Sequence, residues 1–115
     1  MANPFNVEVR TGDAYAVIQT DGYLNGSTGE NLAEAAKSLI GKGYDQLIIN
    51  LEKTRLINSI GISILIEIIE LLEERGGKLS FCHLTPVIER TFKMMGIAQH
   101  ASIFPTEEAA IDSVA

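Results

Sequence analysis

Apolar and polar residues alternate along two short segments near the start of the chain, 5–10 and 14–20, which are separated by Thr11-Gly12-Asp13. Alternation with a period of two is typical of strands with one buried face, and a short glycine-containing connection joins two such strands in a hairpin. Three further segments of strand length follow, at 46–51, 78–82 and 101–104. The pattern predicts a hairpin and two or three more strands, so a sheet of four to five strands.

Apolar residues recur at helical spacing between and after these strands, over 29–40, 59–75, 86–96 and beyond position 106. Ser27 or Thr28 can cap the first of these helices, and Thr85-Pro86 can open the third. The helix over 86–96 is expected to bury Val87, Ile88, Phe92 and Met95. Helices that alternate with strands after a hairpin predict an α/β fold whose sheet is parallel where the chain crosses over.

The helix expected over 59–75 has an apolar surface wider than a helix needs to lie on a sheet. At about 100° per residue, one polar wedge collects Ser63, Glu67, Glu70 and Glu74. Ile62, Ile66 and Ile69 lie on one flank of the apolar arc, with Ser59 on the same side. Either neighbouring elements cover this flank, or it is an exposed apolar patch that binds another protein.

Composition and charge restrict the function classes. The chain has 115 residues, 46% apolar content and a formal net charge of −6, which suit one domain over 1–115 with a sizeable core. An acidic chain without clustered lysine and arginine is not expected to bind nucleic acid. The sequence shows no leader-like segment and no apolar run of about 18 residues, which favours a cytoplasmic protein without a membrane span.

Candidates for catalysis or metal binding are few. Cys82 lies within a strand pattern, so we expect a buried thiol. His83 and His100 fall on different elements and show no metal-ligand spacing with Cys82, and the segment around Ser59 is not the Gly-x-Ser-x-Gly turn of serine hydrolases. No Gly-x-Gly-x-x-Gly segment follows a strand. The sequence therefore argues against an enzyme and predicts neither a metal nor a cofactor.

Two small polar residues, Asn58 and Ser59, stand where the apolar helix over 59–75 begins. Either of them can be the N-cap, an interaction that contributes about 1 kcal/mol. A hydroxyl at this position would also lie where helix N–H groups and the helix dipole favour an anion, so that Ser59 could carry a phosphate. The spacing of the residues does not choose between these two interpretations.

Around these positions the chain resembles the STAS domains of bacterial anti-sigma factor antagonists. The family's Gly-Glu-Leu-Asp pattern is matched by Gly22-Tyr23-Leu24-Asn25, and its Asp-Ser-[Ser/Thr]-Gly-Leu pattern by Asn58-Ser59-Ile60-Gly61-Ile62. Gly76-Gly77 precedes a strand as in the family, whose Pro, Arg, Phe and Met-x-Gly positions recur within 86–96. The resemblance implies the STAS fold, an α/β fold with a mixed central sheet of four to five strands and helices packed mainly on one face.

The same resemblance implies a regulatory module that binds proteins. It implies that Ser59 is phosphorylated by an anti-sigma factor that is also a serine kinase of the GHKL type, and that a serine phosphatase can reverse the reaction. The unphosphorylated form is then expected to bind the kinase and free a sigma factor. A monomer is expected, with a dimer left open.

The chain departs from the family pattern at the presumed site. Asn25 and Asn58 replace two aspartates, and Ile60 replaces a small hydroxyl residue. If a partner kinase needs those carboxylates, phosphorylation is slow or absent. The alternative is therefore a STAS subunit of an ABC transporter ATPase or another multi-protein assembly, without phosphorylation. In both cases the expected partner-binding residues are Asn25, Asn58, Ser59, Ile60, Ile62, Ile66 and Ile69.

Overall fold

The computed structural model describes residues 6–114, so Phe5, at the start of the first expected strand, lies outside the described residues. Strands and helices follow one another in the order β1 (Asn6–Thr11), β2 (Ala16–Asp21), α1 (Gly26–Gly41), β3 (Gln46–Lys53), α2 (Ser59–Glu74), β4 (Lys78–Cys82), α3 (Pro86–Met94), β5 (Ser102–Phe104) and α4 (Glu107–Asp112). A 3₁₀ turn over Ile97–Gln99 precedes β5. Within 6–114, no helix combines the length and apolar character needed to cross a membrane.

The five strands form one sheet in which spatial order follows chain order. β1 and β2 pair antiparallel as a hairpin, whereas β2, β3, β4 and β5 pair parallel. Each parallel step requires a crossover, and α1, α2 and α3 provide the three crossovers. The mixed sheet expected from the sequence is confirmed, with five strands.

The two faces of the sheet bury different amounts of apolar surface. Leu47, Ile49 and Leu51 of β3 point into the main core beneath α1, α2 and α3. Ile48 points to the opposite face and packs with Cys82 and Ala110 under the short helix α4. Successive side chains of a strand point to opposite faces, so β3 is buried on both faces, and its residues Leu47, Ile48 and Ile49 form an uninterrupted apolar run. Helices lie mainly on one face, as expected, and the thiol of Cys82 is buried.

Helix α1 begins three residues earlier than its apolar periodicity indicated. Its N-cap is Asn25, whose Oδ1 accepts a hydrogen bond from the N–H of Thr28 at 3.0 Å. The hydroxyl of Thr28 in turn accepts from the N–H of Asn25 at 2.8 Å. Such a reciprocal pair satisfies two N–H groups at once. The expectation that Ser27 or Thr28 is the N-cap is wrong. Asn25 is the N-cap, and Thr28, at the third helical position, is the second residue of this capping box.

Helix α4 is attached to the sheet by the carboxylate of Glu107. Arg10 of β1 donates to both oxygens of this carboxylate, at 2.6 and 2.8 Å. Asn50 of β3 donates from Nδ2 to Oε1 of Glu107 at 2.9 Å. Burial beneath this helix raises the pKa of the Cys82 thiol to about 12. The thiol is therefore protonated at neutral pH and unsuited to act as a nucleophile.

The attachment of α4 predicts a dependence of stability on pH. Burial alone would raise the pKa of Glu107, but the hydrogen bonds from Arg10 and Asn50 outweigh it, so that the pKa lies below its usual value. A group with a lowered folded-state pKa stabilises the fold above its unfolded-state pKa and loses that contribution as pH falls through the folded value. Since Arg10 is half exposed, solvent screens the ion pair. We expect Glu107→Gln to lower the free energy of unfolding by about 1 kcal/mol at pH 7.

The measurement is urea unfolding of both proteins at pH 7 and at acidic pH values well below the usual glutamate pKa of about 4.3, because the pKa of Glu107 in the folded state is lower still. The difference between wild type and Glu107→Gln should shrink at the acidic end, because the carboxylate is then protonated in both states. Glu108→Gln, at the exposed neighbouring position, is the control and should leave stability unchanged at every pH. A constant difference across the pH range would contradict the role given to Glu107.

Candidate functional site

Helices α1 and α2 begin side by side at one end of the molecule. The N–H of Leu24 donates to the carbonyl of Leu56 at 2.9 Å, and the N–H of Asn58 donates to the carbonyl of Leu24 at 3.1 Å. Gly26 lies so close to Ile60 that a Cβ added to it would be 3.3 Å from Cγ2 of that isoleucine. The two chain segments, far apart in sequence, therefore form one continuous surface.

Two asparagine side chains organise this surface as N-caps. Asn58 caps α2, with its Oδ1 accepting from the N–H of Gly61 at 2.8 Å, while Asn25 caps α1. Of the two cap candidates in the sequence, Asn58 has this role and Ser59 is the first helical residue. Asparagine and aspartate cap helices about equally well. The two caps thus hold both helix starts without contributing a negative charge.

The hydroxyl-bearing residue Ser59 is exposed at the N-terminus of α2. The first N–H groups of a helix have no intrahelical acceptor, and within 6–114 the N–H groups of Ser59 and Ile60 have no hydrogen-bond partner in the protein. Neither α1 nor α2 has an acidic residue in its first turn. The positive ends of two helix dipoles therefore meet here with no acidic residue in either first turn, which favours an anion.

Large apolar side chains are exposed around this hydroxyl. Leu56 is 63% exposed, and Tyr23 and Ile60 are each exposed by about half. We call Tyr23, Leu56, Ser59 and Ile60, together with the caps Asn25 and Asn58, the Ser59 surface. The sequence prediction included Ile60 but missed Tyr23 and Leu56. Each of those two residues stands two positions before an N-cap, in an irregular segment, and that position was the only signal available.

The side of α2 that was expected to contact a partner, formed by Ile62, Ile66 and Ile69, is mostly buried. Ile62 and Ile69 are only 3% and 4% exposed and belong to the main core, while Ile66 is partly buried. The prediction of an exposed strip is therefore wrong for Ile62 and Ile69. The segment that follows α3 lies against this side of the helix, next to Ile66 and Ile69. Ser59 remains accessible because it lies at the end of the helix, beyond this cover.

Comparison with known proteins adds to this geometry. The family model described as the STAS domain matches residues 5–110. The chain is 25% identical over 93 residues to BtrV of Bordetella bronchiseptica, whose name assigns it to the anti-sigma factor antagonists; the match spans 81% of this chain and 78% of BtrV.

Solved structures show the same fold at low sequence identity. An anti-sigma factor antagonist from Mycobacterium paratuberculosis superposes with a TM-score of 0.85 at 22% identity, over 99% of this chain and 98% of the other. Phosphorylated SpoIIAA, a cell fate determinant of Bacillus, gives a TM-score of 0.75 at 22% identity, over 94% and 98% of the two chains. The five-stranded sheet and its four helices therefore form a known fold.

Proposed function

Because this chain belongs to the STAS domain family, we propose that it is an anti-sigma factor antagonist whose Ser59 surface binds an anti-sigma factor kinase. The observation that carries the proposal is an exposed hydroxyl set among exposed apolar side chains, where two helices begin together. BtrV and the Mycobacterium paratuberculosis protein are named as antagonists, which supports the same role here.

Binding through the Ser59 surface has a simple physical basis. Tyr23, Leu56 and Ile60 expose apolar area that an attached partner would remove from water. Tyrosine is among the residues enriched at the centres of protein interfaces. The chain also carries a net charge of −6, so a partner with a basic or neutral face fits best.

We further propose that phosphorylation of Ser59 controls this binding. A phosphoryl group adds about −1.5 to −2 charges at pH 7. The unpartnered N–H groups at the start of α2 can hold it without refolding. Its charge would oppose burial of the neighbouring Leu56 and Ile60 in an interface. SpoIIAA has been solved in an unphosphorylated and in a phosphorylated form, which supports the proposal of such a switch here.

Phosphorylation can be tested with the cognate GHKL-type kinase, captured by pull-down from a lysate of the source organism. Incubation with the kinase and MgATP should add about 80 Da to the intact mass, the mass of one phosphoryl group. Ser59→Ala should abolish the addition. Ser63→Ala is the matched control and should leave it intact, because Ser63 is an exposed serine one turn further along α2 whose hydroxyl donates to the carbonyl of Ser59.

Other outcomes distinguish the alternatives. No added mass, or an addition that persists in Ser59→Ala, would contradict the proposed switch. Capture of an ABC transporter ATPase instead of a kinase would favour a STAS subunit of that assembly. The neutral caps give that second function a specific basis, since Asn25 and Asn58 offer a kinase no carboxylate. The double variant Asn25→Asp, Asn58→Asp should keep both N-caps and raise the rate of phosphorylation if the chain is an anti-sigma factor antagonist.

A further inference from the structure

A groove of about 310 Å³ lies between the C-terminal half of α2 and the segment that follows α3. Four apolar side chains line it: Ile66, Ile69 and Ile97, which are largely buried, and the exposed Met95. Its residue on α2 nearest to the Ser59 surface is Ile66, which lies seven residues beyond Ser59, about 10 Å along an axis that rises 1.5 Å per residue. The groove shares no residue with the Ser59 surface, through which the proposed function acts.

The carboxylates of Glu70 and Glu73 line one side of the groove, and among residues 6–114 neither forms an ion pair with a lysine or an arginine. Glu70 has no ion-pair partner among residues 6–114. Glu73 lies 3.4 Å from Nδ1 of His100, which is cationic only when protonated. An apolar lining beside acidic side chains attracts an apolar group that is flanked by positive charge, and it repels phosphate or carboxylate ligands.

Apolar exposure continues from the groove onto α3. Met94, the neighbour of the groove residue Met95, is 78% exposed. The expectation that Val87 and Met95 are buried is wrong. Of the residues of α3, only Ile88 and Phe92 are buried, and Phe92 packs edge-on against Phe81. Flexible methionine side chains adapt readily to the shape of a bound segment.

We propose that this groove docks a segment of a partner protein that presents one large apolar side chain flanked by lysine or arginine. The volume is at the lower limit of about 300 Å³ for ligand pockets and suits a single inserted side chain better than a cofactor. Glu70 and Glu73 meet the flanking positive charges, and Met95 closes over the inserted group. The docking does not depend on phosphorylation of Ser59.

Panning a random dodecapeptide phage library against the immobilised protein tests the proposal. We expect enriched sequences to contain one large apolar residue with neighbouring lysine or arginine. A labelled peptide of the enriched sequence is then titrated by fluorescence polarisation. Glu70→Lys and Met95→Glu, both at exposed positions, should each raise its Kd about tenfold, as is typical of residues at the centre of an interface.

The matched control is Val87→Glu, which adds the same charge as Met95→Glu on the same side of the sheet but outside the groove. It should leave the Kd unchanged. Absence of enrichment over an empty support, or enriched sequences without basic residues, would overturn the proposal. So would peptides that keep their affinity for Glu70→Lys but lose it for Ile60→Asp, since they would bind the Ser59 surface. Circular dichroism of each variant verifies folding, and no outcome depends on the phosphorylation experiment.

Discussion

Ser59→Glu is expected to raise the Kd for the anti-sigma factor kinase about a hundredfold, equivalent to about 2.8 kcal/mol. The introduced carboxylate would stand at an exposed position of the Ser59 surface, which also exposes Leu56 and Ile60 and which the proposed interface shields from water. A charge buried without a partner costs an interface about 2–5 kcal/mol. The free N–H groups at the start of α2 can donate hydrogen bonds to this carboxylate. Because they do so in the unbound protein as well, they do not offset the loss of binding. Isothermal titration calorimetry of the purified pair measures the effect.

Two further variants make the result specific to position 59. Ser59→Ala removes the hydroxyl without adding charge and should bind within about twofold of wild type, because it leaves the apolar surroundings intact. Ser63→Glu adds the same charge one turn away, on the polar side of α2, and should also bind normally. Equal weakening by Ser59→Glu and Ser63→Glu would indicate a general charge effect. Unchanged binding by Ser59→Glu would mean that the kinase docks elsewhere.

Gly61→Ala is expected to lower the free energy of unfolding by about 2–4 kcal/mol, although alanine favours a helix over glycine by about 1 kcal/mol. The added Cβ would lie 2.6 Å from the carbonyl oxygen of Leu24 and 3.1 Å from Cγ2 of Ile57. That carbonyl accepts the N–H of Asn58, and Leu24 is fully buried. The oxygen can move aside only if the junction between the starts of α1 and α2 opens. Urea unfolding followed by circular dichroism measures the loss.

Gly29→Ala is the matched comparison for Gly61→Ala. Gly29 is also a buried helical glycine, but its added Cβ would meet Cδ1 of Ile64, the far end of a flexible side chain. Rotation of that side chain can relieve the contact, so we expect stability within about 1 kcal/mol of wild type, including the gain in helix propensity. A similar loss for both variants would show that crowding in general, and not the rigid Leu24 carbonyl, sets the cost.

Local patterns were sufficient for most of the architecture. Alternation along 5–10 and 14–20 located β1 and β2, although Val17 and Ile18 of β2 are both buried, on opposite faces of the sheet. The continuous apolar run of β3 indicated a strand covered on both sides, which the two apolar clusters confirm. The start of α1 was missed by three residues because an N-cap lies outside the apolar periodicity. Asn25 is recognised as the cap only from its hydrogen bonds with Thr28.

The site was only partly predictable. Asn58, Ser59 and Ile60 could be singled out because polar residues at the start of an apolar helix stand against the pattern. The sequence could not assign the flank of Ile62, Ile66 and Ile69, because the same isoleucines suit a buried helix side and an exposed patch equally well. Residues outside the helix made that choice: the segment after α3 covers Ile69, whereas nothing within 6–114 covers Leu56 to the same extent.

The order of strands and helices, the acidic charge and the serine at the start of α2 are properties of the chain itself, because periodicity and capping act over a few neighbouring residues. Long-range contacts decided the rest. Pairing of Leu24 with Ile57 brings Tyr23 and Leu56 to the same surface as Ser59, and Arg10 reaches Glu107 from the other end of the chain. Burial and pairing between distant segments depend on how the elements pack in three dimensions, and no local pattern records that.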